Sequence, residues 1–250
     1  MEEKYEGGEI VSPFMKKLEN FWYHYKWQSL IALFFVVVFV VCSLQMCTRQ
    51  RYDVHILYAG ASDVKKTAED GLSEYRILYS SLRLAVEDYD ENGEVNPNLQ
   101  TLFLPSEEDM EKMNASLPEG YEVQTQFVME NAEQFNSLMI LSDYYLCILS
   151  EDNYLAYRDR AEGFFISLAP YVGEAQVSYY DERKDAVYLN SLALGQLPGC
   201  EKLDESTVIC LRSVSEVARR ADRRGSQREF GRAEQTLRNI FESFSAAGKE

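Results

Sequence analysis

Oxygen-bearing side chains alternate along one short stretch of the sequence, DYDENGEV, which runs from Asp88 to Val95. Asp88, Asp90 and Asn92 stand at its first, third and fifth positions, and Gly93 stands at the sixth. Alternate spacing lets such side chains converge on one hard cation, and the glycine permits the tight turn of a calcium loop. The stretch therefore predicts a calcium site whose ligands are Asp88, Asp90, Asn92 and Glu94.

The match to a calcium loop is incomplete. At the twelfth position, where a glutamate would supply two oxygens, the chain has Leu99, and Pro97 disfavours the helix that would follow. The alternative is an acidic helix end at which Asn92 and Gly93 make the turn. The sequence leaves both interpretations open.

No residues with the spacing of a catalytic centre stand out in the sequence. GxSxG, HExxH, GxxxxGK[ST] and GxGxxG are all absent. Of the two histidines, His24 lies in an aromatic segment and His55 lies inside a predicted strand. The five cysteines include no CxxC pair, so no zinc site is predicted, and Cys200 and Cys210 either close a small disulfide loop or remain buried thiols. We expect a protein that is not an enzyme and whose one candidate cofactor is calcium.

An uncharged run of nineteen residues, from Ser29 to Cys47, dominates the N-terminal part of the chain. At about 1.5 Å per helical residue it is about 28 Å long, close to the thickness of the hydrocarbon core of a bilayer. Aromatic rings suited to the headgroup layer precede it, namely Trp22, Tyr23, Tyr25 and Trp27. We predict a transmembrane helix over residues 29–47 that binds the lipid bilayer, after a cytoplasmic tail of residues 1–28 and before a connector of residues 48–53.

The charges that flank this run give it a weak orientation. The four lysines before it include Lys16, Lys17 and Lys26, and Arg49 and Arg51 follow it. Positive residues favour the cytoplasmic side, and a long domain can be translocated despite nearby charge. We therefore expect a permanent single-pass anchor with a cytoplasmic N-terminus and residues 54–250 outside the cell. A cleaved signal peptide and the reverse topology are the alternatives.

Acidic residues outnumber basic ones, 41 to 25, which gives a net charge of −16. Such a balance argues against nucleic acid as a partner and against broad adhesion to anionic lipid. Arginine is nevertheless concentrated near the C-terminus, where eight occur between Arg212 and Arg238. This region is either a solvent-exposed helix face or a docking surface for an acidic partner or an anionic wall polymer.

Strands and helices alternate along residues 54–250. Runs of β-branched and aromatic residues predict strands at 54–59, 100–104, 121–129, 144–149, 164–168, 186–194 and 207–211. Apolar residues three or four apart predict helices at 72–89 and 230–244. Asn131 and Gln134 are placed to cap a helix that runs to 141, and a further helix is predicted at 152–160. A serine with an acidic residue three positions later predicts helix caps at Ser106, Ser213 and Ser226. The alternation indicates an α/β domain with a parallel or mixed sheet flanked by helices.

The order of these elements resembles that of a group of uncharacterised membrane-anchored proteins of Firmicutes-type bacteria. In those proteins an anchor is followed by a strand, a helix and a D-x-[DN]-x-[DN]-G-x-V loop. In this sequence the loop is Asp88 to Val95. The segments QFNSLMILSDYYLCILSEDNYLAY and STVICLRSVSEVARRADR are similar to parts of extracytoplasmic solute-binding proteins. The resemblance implies a solute-binding-protein-like lobe over about residues 52–245. It assigns no ligand residues, because solute-binding proteins usually have two lobes and a lipid anchor.

The expected function is therefore binding rather than catalysis. We expect a membrane-anchored extracytoplasmic protein that binds a small-molecule ligand or a membrane-protein partner, as a solute-binding-like accessory of a transporter. The alternative is a structural or regulatory subunit of an envelope complex that docks through the arginine-rich C-terminal region.

Overall fold

The computed structural model describes residues 13–47, 51–64, 73–118, 120–160, 162–173 and 177–244. Contacts divide the chain into two compact units, Met1–Gln50 and Arg51–Glu250.

The first unit consists of one long helix, α1, over Pro13–Cys47. Its segment Phe21–Ser43 has a mean hydropathy of 2.0 and buries none of its residues in the structure. A helix of this length and composition can cross a membrane, either as an anchor or as a signal sequence.

The second unit is built on a five-stranded mixed sheet. Its strands are β1 (His55–Gly60), β2 (Asn98–Phe103), β3 (Leu146–Leu149), β4 (Ala186–Tyr188) and β5 (Val208–Leu211). The order across the sheet is β2-β1-β3-β5-β4. β1 is parallel to both β2 and β3, whereas β5 is antiparallel to β3 and β4 is antiparallel to β5. The predicted α/β class with a mixed sheet is thus confirmed.

Helices cover both faces of this sheet. They are α2 (Glu74–Arg83), α3 (Glu107–Ser116), α4 (Thr125–Leu141), α5 (Glu151–Arg158), α6 (Ala169–Val172), α7 (Glu216–Ala221) and α8 (Arg223–Phe244). Two short 3-10 helices, Leu189–Ser191 and Ala193–Gln196, follow β4. Successive residues of a strand point to opposite faces, so Tyr58 packs in one core with α2 and α8, and Leu57 packs in the other with α4 and α5.

The predicted strand at residues 121–129 is wrong, because α4 begins within it at Thr125. The buried positions on α4 are Val128, Asn131, Phe135 and Met139, which recur every three or four residues as on a helix. The alternating pattern of residues 121–129, which favours a strand, concealed this helical period. Asn131 does not cap the helix; it is buried, and its Nδ2 donates to the Phe103 carbonyl at 3.0 Å.

Helix caps were predicted with mixed success. The box at Ser106 is confirmed, because its hydroxyl accepts from the Asp109 amide at 3.1 Å and the Asp109 carboxylate accepts from the Ser106 amide at 3.2 Å. Ser213 is not a cap, since Ser215 performs this role for α7. Ser226 lies inside α8, where its hydroxyl donates to the Ala218 carbonyl.

Three further predicted elements are shorter than expected. The helix predicted to residue 89 ends at Arg83, and the strand predicted over 186–194 ends at Tyr188. Residues 164–168 contribute only an isolated bridge between Phe165 and Arg212.

Cys200 and Cys210 are free thiols in the structure. They lie in the cores on opposite faces of the sheet, so the sheet itself separates them. Burial raises the pKa of the Cys200 thiol to about 12 and raises that of Cys210 as well. The second of the two expectations for this pair, buried thiols, is therefore the one that the structure shows.

Arg212 follows β5, and its side chain is only 1% exposed. The guanidinium donates to the carbonyls of Met139 and Ser142 at the end of α4, and Nε donates to the Tyr144 carbonyl at 3.2 Å. Its Cζ also lies 4.9 Å from the ring centroid of Tyr145. A cation at this position stabilises the carbonyl end of the α4 dipole. Arginine is the amino acid whose donors form a planar fork of this kind.

We expect Arg212→Met to lower the free energy of unfolding of the domain by roughly 3 kcal/mol, because several buried carbonyls lose their donors. Thermal or urea unfolding of the full chain in detergent measures this change. Arg219→Met is the matched control, because Arg219 is exposed and its replacement should change stability by less than about 0.5 kcal/mol. Equal effects of the two substitutions would show that the buried contacts are energetically silent.

Candidate functional site

The carboxyl ends of the parallel strands β1 and β2 border a cleft of about 550 Å³. The loop after β1, the end of β2, the connection between α3 and α4, and the start of α2 form its walls. In open α/β sheets, ligands characteristically bind outside the carboxyl ends of parallel strands, where the loops diverge. The cleft is therefore the first candidate for a binding site.

A buried phenol shapes the β1 side of the cleft. The Tyr58 hydroxyl accepts from the Ser62 amide at 3.2 Å and donates to the Ser62 carbonyl at 3.4 Å. A Cβ at position 60 would lie 2.8 Å from this hydroxyl, which explains why Gly60 ends the strand. Burial raises the pKa of Tyr58 to about 12, so the phenol stays neutral and holds the turn that presents Ser62 and Asp63.

An apolar wall lies opposite this turn. It is formed by Phe103, Met113, Leu117, Val123 and Phe127. Leu117 and Phe127 are each 39% exposed, so apolar surface remains available to a ligand. The Asn114 side chain on α3 accepts from the Val123 amide at 2.8 Å, which joins α3 to the residues just before α4.

Three charged side chains line the polar part of the cleft: Asp63, Glu74 and Lys202. Lys202 Nζ lies 3.4 Å from Glu74 Oε1, and the Lys202 carbonyl accepts from the Ser62 hydroxyl, also at 3.4 Å. Counted over these three described residues alone, the two carboxylates and the ammonium sum to a formal charge of −1. The arrangement favours a ligand whose polar end is cationic or neutral.

A second cleft of about 620 Å³ lies beside α5 and is lined mainly by charged residues. Arg158 Nη1 pairs with Asp181 at 2.7 Å, and Arg183 Nη1 lies 3.5 Å from Asp159. Asp185 accepts from the Tyr154 hydroxyl at 2.5 Å. The charges that line this second cleft are thus largely paired within the protein.

The structure adds one residue to the predicted calcium loop. Carboxylate oxygens of Asp53, Asp88 and Asp90 lie within 4.8 Å of one another. Asp53 precedes β1 and is 1% exposed, and its carboxylate accepts from the amides of Tyr89 at 2.8 Å and Asn96 at 2.7 Å. Local spacing gives no signal for Asp53, because it lies 35 residues before Asp88 in the chain.

The other predicted ligands take part in the turn itself. The Asp88 carboxylate accepts from the amides of Asn92 at 3.1 Å and Gly93 at 2.6 Å, and the Asn92 side chain accepts from the Glu94 amide at 2.8 Å. Desolvation is the largest single influence and raises the pKa of Asp88, but hydrogen bonds from the Gly93 and Asn92 amides and from neighbouring groups together outweigh it, so the net direction is downward. The structure thus assembles Asp88 and Asp90 with Asp53, and calcium binding there stays a prediction.

If this loop binds calcium, about 1 mM calcium chloride should stabilise the domain by about 1 kcal/mol and raise its melting temperature by about 3 °C. Asp90→Asn should abolish the increase, because the cluster loses one of its three carboxylates. Glu111→Gln, at an exposed position on α3, is the control and should retain it. Differential scanning calorimetry of the full chain in detergent makes the measurement, and a melting temperature indifferent to calcium would rule the site out.

His55, at the start of β1, is held among neutral groups. Its Nδ1 lies 2.9 Å from Asn98 Nδ2, and its ring packs edge-on against Tyr52 and Tyr144. Burial is the largest of several influences on the pKa of His55, and it lowers that pKa. The imidazole is therefore neutral at pH 7 and packs as part of the strand, as its predicted position in a strand suggested.

No protein-family model, curated protein or solved structure matches this chain.

Proposed function

We propose that this chain is a single-pass membrane protein whose α/β domain binds a small solute in the cleft at the carboxyl ends of β1 and β2. The observation that carries the proposal is the position of a cleft of about 550 Å³ at this edge of the sheet. The resemblance of the element order to solute-binding lobes supports the same role.

The chemistry of the walls suggests the class of solute. Five apolar side chains form one wall, and the opposite part has a formal charge of −1 from Asp63, Glu74 and Lys202. A molecule with an apolar body and a cationic end matches both surfaces. An anionic molecule of the same size would meet two carboxylates and would bind less well.

We expect phenethylamine to shift the methyl resonance of Met113 in an NMR titration of the full chain with isotope-labelled methionine. A probe this small should bind with a Kd on the order of millimolar. Phenylacetate, of similar size and opposite charge, should bind more weakly, and Glu74→Gln should weaken phenethylamine binding about two- to fivefold. The Met113 signal is assigned with the Met113→Leu variant.

The chain offers a matched pair of controls on α4. Phe127→Ser removes apolar surface from the cleft and should abolish the Met113 shift, whereas Met129→Ser, at an exposed position outside the cleft lining, should leave it intact. A Met113 resonance that responds to neither probe, or equally to both, would contradict the proposed ligand class.

The proposed location of this domain is outside the cell, with α1 as a permanent anchor. The lysines before the apolar run and the absence of a small-x-small cleavage site directly after it support this topology.

Trypsin added to intact cells that express the chain should therefore digest the domain, because it has exposed arginines in α7 and α8. The measurement is an immunoblot against an N-terminal tag, which should detect a shortened fragment that contains α1. Protection of the domain while other surface proteins are cut would place it in the cytosol. A mature chain that lacks α1 would identify the helix as a signal sequence instead.

A further inference from the structure

A strongly basic surface lies on α7 and the first turns of α8. We call it the arginine surface, and it consists of the exposed side chains of Arg219, Arg220, Arg223, Arg224 and Arg228. Residues 216–228 contain these five arginines and two carboxylates, a local charge of +3 in a chain whose net charge is −16. The fold therefore separates positive charge from the acidic remainder.

The fold itself makes little use of these arginines. Arg220 pairs with Glu216 at 3.0 Å and Arg228 with Glu229 at 3.1 Å, both at exposed positions where ion pairs contribute little. Within the part of the chain that the structure describes, Arg219, Arg223 and Arg224 form no ion pair. Their charges are available to an external anion.

Apolar side chains accompany the arginine surface. Val217 on α7 is 53% exposed, and Ile140 and Leu141 at the end of α4 are 45% and 62% exposed. The two helices meet because the Ser215 hydroxyl donates to the Ile140 carbonyl at 3.3 Å. Basic side chains together with exposed aliphatic ones suit the boundary between lipid headgroups and acyl chains.

Helix α8, which carries part of the arginine surface, also contacts the segment that precedes β1. Arg232 on α8 donates from Nη1 to the Tyr52 carbonyl at 3.0 Å, just before β1. β1 begins eight residues after the last residue of α1, and eight residues extend at most about 28 Å. A tether this short keeps the domain at high effective concentration next to any bilayer that holds α1.

We propose that the arginine surface binds the anionic headgroups of the bilayer in which α1 is anchored. The inference rests on the anchoring stated under the proposed function. Arginine guanidiniums pair with lipid phosphates, while Val217, Ile140 and Leu141 contact the upper acyl region. Such binding orients the domain and is compatible with its acidic net charge, because the contact is confined to one patch.

The acidic loop that Asp53 holds opposes this binding. Its exposed carboxylates, Glu91 and Glu94 among them, repel anionic headgroups. The loop lies against α8, because Arg232 Nη2 donates to the Tyr89 carbonyl at 3.5 Å. The geometry therefore predicts two opposite effects from neutral substitutions. Removing arginine charge weakens the contact, and removing loop carboxylates strengthens it.

The test uses the full chain in vesicles and a dye at Gln227→Cys, an exposed position within the arginine surface. Cys42 and Cys47 are replaced by alanine, and Cys147, Cys200 and Cys210 are buried. Energy transfer from the dye to headgroup-labelled lipid reports docking. Transfer should be higher in vesicles with about 30% phosphatidylglycerol than in pure phosphatidylcholine, and about 0.5 M sodium chloride should abolish the difference.

Variants decide whether the arginines cause the effect. Each Arg→Gln change at positions 219, 220, 223 and 224 should lower the ratio of docked to undocked domain about fivefold, the equivalent of about 1 kcal/mol per arginine. The double variant Glu91→Gln, Glu94→Gln should raise the ratio. A dye at Ser116→Cys, beside the cleft, should show no lipid dependence.

Three outcomes would overturn the proposal. Equal transfer in both kinds of vesicle, or transfer that survives the four Arg→Gln changes, would show that the surface does not bind anionic lipid and would favour a protein partner. Release of the chain from vesicles by alkaline carbonate would overturn the anchoring and the docking together. Retention with lipid-independent transfer would overturn the docking alone.

Discussion

The buried guanidinium of Arg212 is the contact on which the arrangement of the domain depends. It joins the end of β5 to the carbonyls at the end of α4 and to the segment that enters β3. Without this cation, the carbonyls at the end of α4 would be buried without a hydrogen-bond donor, at a cost of several kcal/mol. Because the first turn of α4 lines the cleft and its last turn borders the arginine surface, this single cation positions parts of both regions.

The two ends of the strands present different surfaces. At the carboxyl ends of β1 and β2, a turn held by Tyr58 faces an apolar wall, and the result is a concave surface. At the opposite end of the strands, buried Asp53 organises an acidic loop, and exposed arginines lie on α7 and α8. The solute binding and the membrane contact that we propose would thus take place at separate ends of one sheet, where neither obstructs the other.

Local patterns predicted those features that depend on local interactions. The buried strand at residues 144–149 and the cap at Ser106 were predicted because a run of apolar residues and a three-residue spacing each determine one structure. The cleft was not predicted, since Ala61, Phe103 and Phe127 meet only through the topology of the sheet. Asp53 was missed for the same reason, and the strand expected at 121–129 failed because tertiary burial of a helical stripe outweighed local alternation.

α4 also has a mechanical consequence for the domain. It is held at its end by Arg212, and Phe127 lies twelve residues away from Met139 along the axis, about 18 Å at 1.5 Å per residue. One helix thus connects the region beside the arginine surface to the wall of the cleft. A rotation of about 10° around the guanidinium would displace Phe127 by about 3 Å, while the end of α4 beside the arginine surface would move far less.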